Sequence, residues 1–278
     1  PVSLYMGGGT PTTLSAAQLD RLCSKLGAEF DLSGLREYTV EAGRPDTISM
    51  DKLEALKAHG VRRISVNPQS MSDKVLEAIG RRHTERDVVN ALALVRECGG
   101  FEVNMDLIAG LPADTRFGFS RTLDRVLALK PENITVHTLS IKRGSSLKSE
   151  ENSLPDGECV GLMLDEAITR LGAAGYSPYY LYRQKNMSGG YENVGWALSG
   201  RESLYNICIM EELCSVIAMG AGGSTKLVGN GRAQIRRMIA PKYPKEYIEA
   251  AESLCAAKER IGEFYGVQPA GDQLQDGG

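Results

Sequence analysis

Five apolar, β-branched runs of this sequence end on groups that could hold or move something. They are Gly7–Gly9 in SLYMGGGTPT, Glu41 in TVEAGRP, Gln69 in ISVNPQS, Asp106 in VNMDLIAG and His137 in ITVHTLS. Glycines after a strand expose backbone amides and carbonyls that can cradle a phosphate or another polar group. Their spacing is neither the phosphate-loop pattern nor G-x-G-x-x-G. A tight turn into a helix capped by Thr10 or Thr13 would account for some of it. Three glycines in succession, Gly8 and Gly9 among them, exceed what a turn needs and point to a ligand. Glu41 can accept from an ammonium or from ribose hydroxyls, and Gln69 can both donate and accept. Arg81, in IGRRHT, carries the planar fork that grips a carboxylate. Asp106 is an ionisable group inside an apolar run, which is costly unless it is paired or bound. His137 reads as a hydrogen-bonded residue at a strand terminus rather than as a catalytic base. Together these groups suit a ligand with an amino-acid end and a ribose: glycine backbone and Glu41 for the ammonium, Arg81 for the carboxylate, Gln69 and Asp106 for hydroxyls.

The elements that must carry them alternate regularly. Strands are read in VSLYM, LREYTVEA, VRRISVNPQS, EVNMDLIAGLP and NITVHTLS. Between them lie helical patterns: Leu14, Leu19, Leu22 and Leu26 at helical spacing, TISMDKLEALKAHG with Ser49 as cap, DKVLEAIG, ERDVVNALALVRECGG, and TRFGFSRTLDRVLALKP stopped by Pro131. Strands alternating with helices imply a parallel sheet with right-handed crossovers, whose active face lies at the carboxyl ends of the strands. The class is α/β, and a partial or full β/α barrel suits five functional strand ends better than a doubly wound sheet. After about residue 150 the pattern changes to a smaller α+β region over 151–265, followed by a polar, glycine-rich tail over 266–278 expected to be disordered.

Composition narrows the function class. The 278 residues carry 32 basic and 35 acidic side chains, a net charge of −3 with both signs mixed, which gives no support for nucleic-acid binding. The longest apolar stretch, LYNICIMEELCSVIAMG, is broken by Glu211 and Glu212, so no membrane span is expected. The six cysteines, Cys23, Cys98, Cys159, Cys208, Cys214 and Cys255, are scattered. None forms a metal-binding cluster, and they read as thiols of a reducing, cytoplasmic compartment.

In this order, YMGGGTPT, VEAGRP, GVRRISVNPQSM, LEAIGRRHT and NMDLIAGLP resemble the radical SAM family of oxygen-independent coproporphyrinogen III oxidases. The wording of VEAGRPDTI, ISVNPQSM and YYLYRQKN is most similar to its coproporphyrinogen dehydrogenase HemZ branch. The motif set covers roughly residues 3–145, and YYLYRQKN through GAGGSTK extends it to about 228. The resemblance implies a partial (β/α)6 barrel that binds S-adenosylmethionine beside a 4Fe–4S cluster. It implies oxidative decarboxylation of coproporphyrinogen III to protoporphyrinogen IX in haem synthesis, fed by an electron donor. The implied cofactor contacts are Gly8, Gly9, Thr10, Glu41, Gln69, Arg81 and Asp106, with Ser224 a looser match. The family's C-x3-C-x2-C cluster motif has no counterpart here. The chain is therefore expected to be a fragment lacking the first strand and the cluster loop, inactive alone. Arg44, Arg62, Arg63, Arg82, Lys142, Arg143, Arg183 and Lys185 are candidates for the substrate's carboxylates. A related family uses the same scaffold as a haem chaperone, which is the alternative.

Overall fold

The computed structural model describes residues 1–140, 154–183 and 188–266. Two compact units divide the chain, Pro1–Ile207 and Cys208–Gly278. The first is built on a seven-stranded sheet. Its strands are β1 (Ser3–Met6), β2 (Glu37–Glu41), β3 (Arg63–Ser65), β4 (Glu102–Ala109), β5 (Asn133–Thr138), β6 (Ser177–Tyr182) and β7 (Asn193–Ala197), in the order β1-β2-β3-β4-β5-β7-β6. The first five run parallel, as the alternation requires; β7 and β6 join antiparallel. The expected region starting at 151 thus contributes two strands to the main sheet, and the first unit runs on to Ile207.

Helices cover one face of the sheet. They are α1 (Ala16–Glu29), α2 (Met50–Ala58), α4 (Glu85–Cys98), α5 (Arg116–Leu129) and α6 (Gly157–Ala173), while the short α3 (Asp73–Ala78) packs Val75 against Leu111 and Leu139 in a separate small cluster. Leu19, Leu53, Leu56, Leu92, Phe119, Leu123 and Met163 pack there against Val40, Ile64, Met105, Leu107 and Ile134. Successive strand residues point to opposite faces, and β4 shows the result. Val103, Met105, Leu107 and Ala109 are buried under helices, while Glu102, Asn104, Asp106 and Ile108 are only partly covered. The opposite face is polar and curls inward.

Local chemistry sets the boundaries, with some departures from expectation. Ser15, not Thr10 or Thr13, caps α1, in a reciprocal capping box with Gln18. Thr10 and Thr13 close the 3-10 turn Pro11–Thr13 instead: the Thr13 amide and hydroxyl both donate to the Thr10 carbonyl. Ser49 occupies the N-cap position of α2, but its hydroxyl donates to Asp51 rather than capping. β3 is shorter than VRRISVNPQS suggested. Pro68 has no N–H to give a ladder, and the chain rejoins β4 only at Gln69, which forms an isolated bridge with Leu107.

The second unit contains the hairpin β8 (Ser224–Gly229) and β9 (Gln234–Ile239), followed by the short helices α8 (Pro244–Glu249), α9 (Ala251–Glu259) and α10 (Ile261–Phe264). Helix α7 (Leu204–Met210) crosses the division, and Ser224 is exposed at the start of β8. From residue 267 on, the expected tail lies outside the described residues. Among the described residues no helix is long and apolar enough to cross a membrane.

Candidate functional site

The open face of the sheet gathers the polar strand residues near its carboxyl end. Tyr5 donates its hydroxyl to Glu41 Oε1, and the Gly8 amide donates to Glu41 Oε2 at 3.3 Å. Tyr205 stacks on Tyr5 with ring centroids 4.2 Å apart. A Cβ on Gly7 would lie 2.7 Å from both Glu41 and Tyr5, so this glycine answers to internal packing. Gly8, at φ 85°, and Gly9 would meet nothing within 4 Å. They border open space, while Thr10 anchors the turn behind them. Burial raises the Glu41 pKa; the Tyr5 hydrogen bond opposes this and the Asp106 charge adds to it.

Asp106 sits in the middle of β4 rather than at its end. Asn104 Nδ2 donates to its Oδ1 at 2.8 Å, and His137 Nε2 faces its Oδ2 at 3.7 Å. Burial alone would raise its pKa. Burial is outweighed by the neighbouring His137 and by the polar groups of Asn104 and Thr135, which together hold the carboxyl below its ordinary range. Gln69 pairs with the same strand through its backbone: its amide donates to the Asp106 carbonyl, and Ile108 N donates to the Gln69 carbonyl, both at 3.0 Å. Its φ of 67° is left-handed, a strained geometry for a residue other than glycine. The Gln69 side-chain amide has no partner among the described residues.

Arg81 follows α3. Its half-buried guanidinium faces no carboxylate among the described residues. Burial, and then the nearby Arg44 cation, lower its pKa. His83 lies two residues on, and its ring meets the Pro68 carbonyl at 3.3 Å, tying the Arg81 segment to the one carrying Gln69. The structure thus brings Gly8, Glu41 and Asp106 onto one face, with Gln69 on the adjoining bridge and Arg81 on a loop fastened beside it.

The basic candidates separate. Arg63 is buried and internal: it pairs with Glu37 at 3.3 Å and Glu102 at 2.5 Å and donates to the Arg201 carbonyl at 2.9 Å. Arg44 pairs with Asp46, and Arg183 with Glu192. Arg62 and Arg82 are exposed, while Lys142, Arg143 and Lys185 lie outside the described residues. Sequence reasoning missed Tyr5, Asn104 and the partnership of His137 with Asp106. Period-two polarity in β4 and β5 (Asn104 and Asp106; Asn133, Thr135 and His137) was the available signal.

The sequence model of the radical SAM superfamily matches residues 2–126. These residues belong to the radical SAM superfamily. The chain is 43% identical, over 90% of its length and 50% of the relative, to the oxygen-independent coproporphyrinogen-III oxidase-like protein HemZ of Bacillus subtilis. It is 31% identical to the heme chaperone HemW of the same organism, over 74% of this chain and 52% of that one. The solved coproporphyrinogen III oxidase HemN of Escherichia coli superposes with a TM-score of 0.71 at 24% identity, over 91% of this chain and 57% of that one. That match supports the curled half-barrel fold. The chain spans about half the length of these curated relatives. Radical SAM membership implies S-adenosylmethionine and a 4Fe–4S cluster as cofactors. Among the described residues no three His, Cys, Asp or Glu gather as metal ligands.

Proposed function

We propose that this chain is the S-adenosylmethionine-binding part of a radical enzyme that oxidatively decarboxylates coproporphyrinogen III to protoporphyrinogen IX. The observation that carries the cofactor assignment is Arg81, a desolvated cation with no carboxylate beside it among the described residues. A ligand carboxylate supplies the missing partner. The open space beside Gly8 and Gly9 and the spare amide of Gln69 fit the same group. In this reading Arg81 binds the methionine carboxylate. Glu41, with the backbone of Gly8 and Gly9 on the turn anchored by Thr10, receives the ammonium. Gln69 donates to or accepts from the ribose hydroxyls, and Asp106 accepts from them. Held by these residues beside a reduced 4Fe–4S cluster, S-adenosylmethionine would supply the hydrogen-abstracting chemistry that a propionate side chain requires. The similarity to HemZ favours the porphyrinogen substrate, and an external electron donor completes the reading. The six unpaired thiols suit a reducing cytoplasm.

The similarity to HemW favours a second reading, haem binding without decarboxylation. Calorimetric titration of S-adenosylhomocysteine into the chain tests the cofactor site. Arg81→Ala and Asp106→Ala are each expected to weaken binding about tenfold or more while the melting temperature holds. Unchanged affinity in both variants sinks the assignment. Stoichiometric haem uptake with no affinity for S-adenosylhomocysteine turns the choice to the second reading.

A further inference from the structure

Asp106 is one member of a closed ring of side chains spanning β4, β5 and β6. Its Oδ2 faces His137 Nε2 at 3.7 Å, and His137 Nδ1 meets the Tyr182 hydroxyl at 3.4 Å. The His137 and Tyr182 rings stand edge to face, 6.4 Å apart. Tyr182 stacks on Tyr180, whose hydroxyl meets Thr135 Oγ1 at 3.2 Å. Thr135 donates to Asn104 Oδ1 at 3.4 Å, and Asn104 returns to Asp106 Oδ1 at 2.8 Å. The two carboxylate oxygens are therefore held by different partners, one from β4 itself and one from β5.

This arrangement is asymmetric. Oδ1 accepts from Asn104 at normal hydrogen-bond length. The His137 contact is an ion-pair distance, longer than a hydrogen bond. Oδ2 so keeps acceptor capacity, and a fifth of the Asp106 side chain remains open to the curled face. The geometry points to His137 as a positioning residue: braced by Tyr182, it orients Asp106 so that Oδ2 accepts from a ribose hydroxyl of the cofactor. The inference rests on the cofactor reading above and deepens it, because it assigns the orientation of one contact to a residue that does not touch the ligand.

The test uses two probes on the intact chain: S-adenosylhomocysteine and its analogue lacking both ribose hydroxyls. His137→Phe removes the Nε2 partner. It is expected to weaken S-adenosylhomocysteine about tenfold and to leave the dideoxy analogue unchanged. His137→Gln keeps a donor near Nε2 and is expected to restore binding to within about threefold of wild type. Tyr182→Phe, a milder change should His137→Phe fold poorly, is expected to lower affinity about threefold for the ribose-bearing probe alone. Equal weakening of both probes, or of neither, overturns the positioning role while leaving the cofactor site standing. Failure of the wild-type chain to bind either probe overturns the cofactor reading and this inference with it.

Discussion

Gly7 and Gly9 are indistinguishable in the sequence, yet they answer to different neighbours. Gly7 is fixed by Tyr5 and Glu41, whose side chains are locked to each other and would lie 2.7 Å from an added Cβ. Gly7→Ala is expected to cost roughly 1–3 kcal/mol in chemical denaturation, as overpacking does. Gly9→Ala meets nothing, so stability should stay within about 0.5 kcal/mol while affinity for S-adenosylhomocysteine falls. Equal stability losses in the two variants would contradict this division. The triple glycine was legible as special, but its first member could not be assigned. The reason is that Glu41 lies on the neighbouring strand, far along the chain. Asp106 was legible for the opposite reason, since an anion in an apolar strand announces its own cost. His137 reads as a partnered residue at a strand terminus, where the structure places it, but its partner could not be named because it is on another strand and parallel pairing register is invisible without the fold.

At the level of elements, the alternation of strands and helices was legible because each helix buries one apolar stripe and each parallel strand one apolar face. What escaped was pairing that depends on a single residue, as where Pro68 ends the β3 ladder. The turn from β4 into α5 shows a similar local conflict. Asp114 is buried there; its Oδ1 accepts from the Thr115 amide at 2.8 Å, and its Oδ2 has no hydrogen-bond partner. Burial pushes its pKa from 3.8 up to about 6. The folded state then binds the proton more tightly than the unfolded chain, so stability falls as pH rises from about 4 to about 6 and stays lower above it. The full shift corresponds to about 3 kcal/mol, reduced to about 1–2 kcal/mol by partial solvent access. Asp114→Asn keeps the acceptor for Thr115 and is expected to gain that amount at pH 7 and nothing at pH 4. Denaturation curves at the two pH values check it, and an equal gain at both would refute it. At the opposite end of the strands, Arg63 lies between Glu37 and Glu102. Arg63→Ala removes a cation from the buried Glu37, which keeps its hydrogen bonds from Ser203, Leu204 and Tyr205, while Glu102 keeps Arg201, so the expected cost is about 2–3 kcal/mol. A loss under 1 kcal/mol would show that water replaces the guanidinium.

On the scale of the whole molecule, the proposed adenosyl site and the first unit's cysteines lie apart. The first unit's cysteines all lie with the helices. Cys23 is buried in α1 against the Tyr38 hydroxyl, and Cys98 and Cys159 pack at the edge of the same apolar core. Asp106 and Glu41 occupy the other face of the sheet. Burial raises the Cys23 pKa, which disfavours the thiolate that iron requires. Cys208, Cys214 and Cys255 belong to the second unit. An iron–sulfur cluster needs several thiolates converging on one point, and the first unit's three thiols do not converge on the polar face. Anaerobic treatment of this chain with ferrous iron and sulfide, followed by desalting, is therefore expected to leave less than stoichiometric iron and no sulfur-to-iron charge-transfer absorption. The same preparation should still bind S-adenosylhomocysteine, with affinity that depends on Arg81 and Asp106. Stoichiometric cluster uptake would mean that the cysteines can leave the helix-covered side, and the division of labour between the two faces would fall. Binding without iron would establish that the polar face recognises the adenosyl and amino-acid ends of the ligand through its own side chains, before any metal contributes.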